Sequence, residues 1–184
     1  MKAGTRALGI AESFTDEDST LAGVLMTASG RVEDFVFGTC TVGGTDVTDE
    51  MAAMVERLDR DDTMVILIAG VALAWYNILD VEQLAERVDP PIIVVTFEES
   101  EGLEEAINEA FTGKERDDRL TRYQALPPRE EHHVNGQTLY VRSIDVSRDR
   151  VDEILQAYMG DASSRPEPLR VANLAARAVD EVEV

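Results

Sequence analysis

Few groups in this sequence have the type and spacing for catalysis or recognition, and most of those point to phosphate or to a base. Arg170, Asn173 and Arg177 stand at i, i+3 and i+7, so a helix over them puts all three on one face. Arginine forks match planar and tetrahedral oxyanions, and such a face suits phosphate. The run Trp75-Tyr76-Asn77 carries aromatic surface on which a base can stack. At a strand-to-helix junction, however, such a pair more often packs into the core. Asp46, in the segment GGTD, reads either as a metal-ligating carboxylate or as a cap for the helix at Thr48. Glu12 reads either as a functional carboxylate or as a solvated acid at a strand end.

Other reactive residue types read as structural. His132 and His133 adjoin on a predicted strand, where neighbours point to opposite faces, so their rings do not converge on one ion. Cys40, the single cysteine, lies on an alternating strand with no identifiable base and reads as a small buried hydrophobe; it permits no internal disulfide. Gly43-Gly44 lacks the GxxxxGK[ST] context of a phosphate loop, and Gly113-Lys114 is followed by Glu115. A nucleotide triphosphatase is therefore rejected.

The charge balance sets the medium. Thirty-seven acidic residues face 17 basic ones, a net charge of −20, and all the basic residues but Lys2 and Lys114 are arginine. At about 1 M salt the Debye length is only ~3 Å, so a densely acidic surface is screened and stays soluble. The composition thus reads as adaptation to a salt-rich cytosol in preference to a surface for cations or basic partners. On that reading the acidity does not exclude nucleic acid as a partner. A length of 184 residues with 44% apolar content predicts one domain over residues 1–184 with a full core. The longest mostly apolar uncharged run, residues 64–76, is shorter than the roughly 20 needed to span a bilayer. The first residues lack the apolar stretch of a signal peptide. A cytoplasmic protein without a membrane partner is expected.

The elements that must position these groups follow from periodicity and turn chemistry. Residues 5–10, 21–27 and 31–42 read as three antiparallel strands, with a polar loop at 15–20 and a tight turn at Ser29-Gly30. Thr48 reads as the N-cap of a helix with Asp49 and Glu50 in its first turn and Met51, Met54, Val55 and Leu58 on one face. Residues 63–68 and 91–96 are continuous apolar runs of the kind buried on both faces. Asp80 caps a helix to Val88, Ser100 caps one to Phe111, and residues 114–123 form a charged helix. Asn135-Gly136 predicts a hairpin joining 131–134 to 138–144. Ser147 opens a helix with Val151, Ile154, Leu155 and Tyr158 on one face, closed by Gly160, and a last helix runs from Pro166 to about Val179 after a loop at 161–165. Right-handed crossovers through the first two helices make the later strands parallel. The expected fold is an α/β ribonuclease H-like mixed sheet, three antiparallel strands followed by parallel strands, flanked by helices.

Four stretches carry a family resemblance: RALGIAES at 6–13, TVGGTDVTDEM at 41–51, ILIAGVALAWYNILD at 66–80 and RPEPLRVANLAARA at 165–178. Together they resemble the archaeal endonuclease V-like family, also called endonuclease dU, from about residue 3 to residue 179. The PEPLRVA segment is the most specific part, since endonuclease V has a similar stretch before its last helix. The resemblance implies a metal-dependent nuclease of DNA repair acting on DNA with deaminated bases. Its Mg²⁺ or Mn²⁺ would be held by acidic residues at neighbouring strand ends. By that resemblance Asp46 and Glu12 are the carboxylates for metal and water, Arg170 and Asn173 meet the scissile phosphate, and Asn77 lines the cleft. The chain also departs from the pattern. Where relatives have an acidic pair after strand one, this chain has Ala11-Glu12; where a DG pair is expected it has Ala69-Gly70; and Asn173 stands where a histidine is often found. Alanine has no side-chain oxygen. The competing expectation is a catalytically silent nucleic-acid or protein binding module on the same fold.

Overall fold

Alternation of side chains decides how the sheet is covered. The computed structural model describes residues 1–14, 18–160 and 163–182. Strands β1 (Arg6–Phe14), β2 (Asp18–Thr27) and β3 (Val32–Thr41) form an antiparallel meander. Helix α1 (Val47–Leu58) leads to β4 (Thr63–Ala69), which pairs parallel to β1. A two-stranded ribbon of β5 (Ala72–Leu73) and β6 (Asn77–Ile78) follows, then the short α2 (Val81–Ala85) and β7 (Ile92–Thr96), parallel to β4. Helices α3 (Glu104–Ala110) and α4 (Gly113–Gln124) precede a hairpin of β8 (Glu130–Val134) and β9 (Gln137–Ile144). The chain closes with α5 (Arg148–Tyr158) and α6 (Glu167–Val182). The seven-stranded sheet has the order β3-β2-β1-β4-β7-β9-β8, with β9 antiparallel to β7. It is the ribonuclease H-like mixed sheet that the sequence predicts.

Period two is visible in the core. Leu8 and Ile10 of β1, Ile66 and Ile68 of β4, and Ile92 and Val94 of β7 all join one buried cluster with Met51, Met54 and Leu58 of α1. The intervening Ala7, Val65, Leu67, Ile93 and Val95 pack on the other side with Val151, Ile154 and Leu155 of α5. Ala11, Val24 and Ala172 form a smaller cluster where α6 crosses β1 and β2. That crossing is close: a Cβ at Gly9 would stand 2.4 Å from the backbone of Pro168, so glycine lets the PEPLR segment lie directly on β1.

Several boundaries differ from the sequence reading. Of the loop expected at 15–20, residues 15–17 lie outside the described residues, while Asp18, Ser19 and Thr20 belong to β2, where Ser19 pairs with Cys40. Thr48 is inside α1 rather than its cap; the capping position is Asp46, and the Thr48 hydroxyl accepts from the backbone N–H of Asp80 at 3.0 Å. Ser100 does not open α3, which starts at Glu104; its hydroxyl accepts from the N–H of Gly102 at 3.1 Å. The β5–β6 ribbon has no counterpart in the sequence reading, because strands of two residues have no measurable period.

Candidate functional site

The carboxyl ends of the parallel strands β1, β4 and β7 open into a cleft of about 740 Å³. Open α/β sheets present their ligand sites at such strand ends. Ala11 of β1 and Ala69 of β4 line it at the positions where carboxylates were expected, and Ala11 is only 1% exposed. Around them the cleft collects Arg129, Arg142, Arg165 and Arg177, facing Glu12, Glu98 and Glu99. Four arginines meeting three glutamates is a local excess of positive charge in a chain whose net charge is −20.

Three of the four arginines are held by contacts, and the fourth stands free of them on the surface among the described residues. Arg129 donates to the carbonyl of Ser100 at 2.8 Å and lies 4.1 Å over the Tyr140 ring. Arg142 donates to the carbonyl of Pro127 and sits above Tyr123. Arg165 stacks 4.4 Å over Phe97, another lining residue. Arg177 is exposed on α6. These arginines come from the loop before β8, from β9, from the loop before α6 and from α6 itself. Only Arg177 was singled out in sequence. Arg165 stood in the RPEPLR segment without a role, and Arg129 and Arg142 carry no local signal, since only the pairing of β9 with β7 brings them here.

The five residues expected from sequence divide. Glu12 and Asn173 line the cleft. The Asn173 amide donates to the main-chain carbonyl of Glu12 at 3.0 Å, which ties α6 to the end of β1. One carboxylate oxygen of Glu12 accepts from the Ser19 hydroxyl at 2.7 Å and from the N–H of Ala74 at 2.8 Å. Burial pushes the Glu12 carboxyl above its ordinary range, against these two hydrogen bonds. Asp46, Asn77 and Arg170 do not line the cleft. Asp46 accepts from the Thr41 hydroxyl at 2.9 Å and from the Asn77 amide at 2.6 Å. Burial raises its pKa, but the bonds from Asn77 and Thr41 outweigh that and hold the carboxyl below the usual range. Asn77, fully buried, also accepts from the N–H of Val47 at 3.2 Å, so it serves as the side-chain cap that Asp46 does not provide for α1. Arg170 pairs with Glu167 at 2.7 Å one turn earlier on α6.

The arrangement does not fit a Mg²⁺ or Mn²⁺ centre. Such ions need several oxygen donors converging from neighbouring strand ends. Here the two neighbouring strand ends carry methyl groups, the Asn173 amide is directed to a backbone carbonyl, and Glu12 and Asp46 are bonded within separate local networks. Among the described residues no three His, Cys, Asp or Glu side chains are grouped as ion ligands. His132, buried, bonds Asp152 at 2.7 Å through Nδ1, while His133 on the opposite face is exposed beside Glu131. Cys40 is buried in the core cluster, and burial, aided by the nearby Glu12 and Asp46 carboxylates, pushes its thiol up to about 12.

The turn beside Glu12, outside the cleft lining itself, is under backbone strain. Between β5 and β6, Ala74, Trp75 and Tyr76 have φ of 43°, 57° and 61°, three successive non-glycine residues in the left-handed region. The turn is held from three sides: Ala74 N–H on Glu12, Gly43 N–H on the Ala74 carbonyl at 2.7 Å, and the Arg119 guanidinium on the Tyr76 carbonyl at 3.2 Å.

This mixed sheet flanked by helices is a fold shared with solved structures of endonuclease V. Endonuclease V of Ciona intestinalis, solved with a 24mer DNA containing an inosine, superposes with a TM-score of 0.66 at 11% identity, covering 98% of this chain and 87% of that one. A protein of unknown function from Archaeoglobus fulgidus superposes with a TM-score of 0.83 at 24% identity over 95% and 97% of the two chains. The chain belongs to the Endonuclease dU family, which it matches over residues 3–180. A UPF0215 protein of Pyrobaculum calidifontis is 35% identical over 181 residues, covering 95% of this chain and 96% of that protein. No helix among the described residues is long and apolar enough to cross a membrane.

Proposed function

We propose that this protein is a nucleic-acid-binding member of its family that holds its ligand in the cleft at the ends of β1, β4 and β7 without metal-dependent strand cleavage. The observation that carries this reading is the pairing of Ala11 and Ala69, where a metal would need carboxylates, with an arginine-lined rim. Phosphates would be met by Arg165 and Arg177, whose forks suit oxyanions, while Arg129 and Arg142 add positive charge to the same lining. Family membership favours DNA with deaminated bases as the ligand class. The acidic remainder of the surface fits a salt-rich cytoplasm, where long-range attraction to phosphate is screened and close contacts must supply the affinity.

A second reading is favoured by the family itself. In it the protein is a metal-dependent endonuclease at deaminated bases, with Glu12 as the surviving cleft carboxylate, helped by Asp46 and Asn173. The two are separated by incubating labelled oligonucleotides that contain uracil, hypoxanthine or only ordinary bases with the protein in multimolar KCl. Each is run with Mg²⁺, with Mn²⁺ and with EDTA. The first reading expects binding that is equal in EDTA and metal, weakened by Arg165→Ala and by Arg177→Ala, with no cleavage. Metal-dependent cleavage that disappears in Glu12→Gln would overturn it in favour of the second.

A further inference from the structure

Trp75 is the most exposed aromatic side chain among the described residues. It is 56% exposed, although the sequence pattern favours packing it in the core. It also occupies the middle of three successive left-handed residues, a conformation that costs a bulky residue free energy and that a glycine would adopt without strain. Three hydrogen bonds from β1, the loop after β3 and α4 hold that turn in place. Tyr76 behaves as expected of a packed aromatic, standing edge-on to Phe111 at 5.9 Å and to the Trp75 ring at 5.3 Å. The outer face of Trp75 remains open to solvent. The residue adjoins Ala74, whose N–H is held by Glu12 of the cleft lining at 2.8 Å; Trp75 itself is not one of the lining residues, so a ligand would reach it by running past Glu12 from the cleft. Of the other exposed aromatics, Phe14 at the end of β1 lines the cleft itself and is 52% exposed, while Phe35 and Phe37 lie on β3.

We infer that Trp75 is a stacking platform for an unpaired base of a nucleic acid that extends from the cleft past Glu12 to the β5–β6 turn. The inference rests on the nucleic-acid reading above and deepens it by specifying how a base is held. Stacking is the contact this protein has most use for. A chain with a net charge of −20 gains little from long-range attraction to phosphate, whereas base–aromatic stacking depends on neither charge nor salt. The bonded turn fixes the backbone that carries the indole before the ligand arrives, so less ordering is left to be done on binding. Stacking on one ring face reads no base edge, and the platform therefore accepts any unpaired base.

Trp75 is the only tryptophan in the chain, so its fluorescence reports on this position alone. The test titrates the full-length protein in multimolar KCl with a short single-stranded oligonucleotide and follows both tryptophan emission and the anisotropy of a dye on the oligonucleotide. The expected result is quenching of Trp75 along the same isotherm as the anisotropy. An oligonucleotide with abasic sites throughout should bind more weakly and quench less. Trp75→Ala should weaken binding roughly tenfold, the size of one lost base stack, and Trp75→Phe should recover part of it, with circular dichroism unchanged in both. Full binding by anisotropy with unchanged tryptophan emission, or equal affinity in Trp75→Ala, overturns the platform and leaves the nucleic-acid reading intact. No binding by the wild-type protein overturns both.

Discussion

Asn77 donates its side-chain amide to Asp46 at 2.6 Å and accepts from the N–H of Val47 at 3.2 Å, so two residues 31 positions apart together close the start of α1. The pair turns one of the two carboxylates that the resemblance assigns to metal and water into a clamp between the β3–α1 loop and the β5–β6 ribbon. Asp46→Ala should then act on stability. It leaves the buried Asn77 amide short of a partner and should cost about 1–3 kcal/mol. Oligonucleotide affinity of the folded protein should not change. The Asp46 carboxyl is held below its ordinary value of 3.8, so its contribution is present above that value and is lost as pH falls through the lower folded value. Denaturant midpoints at pH 7 and pH 3 check this: the gap between wild type and variant should shrink at the acid end, and no gap at pH 7 would remove the clamp.

Ala11 and Ala69 follow Ile10 and Ile68, which are partners in the parallel pairing of β1 with β4, and both line the cleft. Carboxylates at those two positions would converge as a divalent cation requires. The wild-type melting temperature should therefore not respond to Mn²⁺. The double variant Ala11→Asp with Ala69→Asp should melt lower in EDTA, because it crowds a buried and a half-buried charge, and rise by several degrees with Mn²⁺. A Mn²⁺-dependent rise in the wild type would mean that it holds a cation after all.

Glu12 is pushed the opposite way from Asp46, chiefly by burial. A raised folded-state pKa favours the protonated form, so its stabilising effect is full below the ordinary value of 4.5 and is lost as pH rises through the folded value. Glu12→Gln keeps an oxygen to accept from Ser19 and Ala74 and carries no charge. Its melting temperature should match wild type near pH 4 and exceed it at pH 7. A variant less stable than wild type at pH 7 would show that the ionised carboxylate is stabilised there.

Gly9 lies directly under Pro168, with only 2.4 Å available to an added Cβ. Gly9→Ala should force α6 away from β1 and cost about 1–3 kcal/mol, as overpacking does. Gly4→Ala, where nothing lies within 4 Å, should be close to neutral. Thermal melts of the two variants give the comparison, and equal melting temperatures would remove the close packing of α6.

Much of the fold was legible because its signals are local. Alternation along β1, β4 and β7 and the helical face of Met51, Met54 and Leu58 are relations among residues two to seven apart. Asn135 and Gly136, with φ of 50° and 77°, make the hairpin turn that their side chains favour. The absence of side-chain oxygens at Ala11 and Ala69 is likewise a fact of the sequence alone, and so is the charge of −20. The composition of the cleft was not local. Arg129 and Arg142 reach it because β9 pairs with β7, whereas Arg170 turns to Glu167 and Asp46 to Asn77. Periodicity says which face a side chain takes, but only strand order and helix crossing decide which faces meet. For that reason the sequence determined the sheet, its layers and the missing carboxylates, and the tertiary structure decided which arginines meet in the cleft and that Trp75 faces solvent.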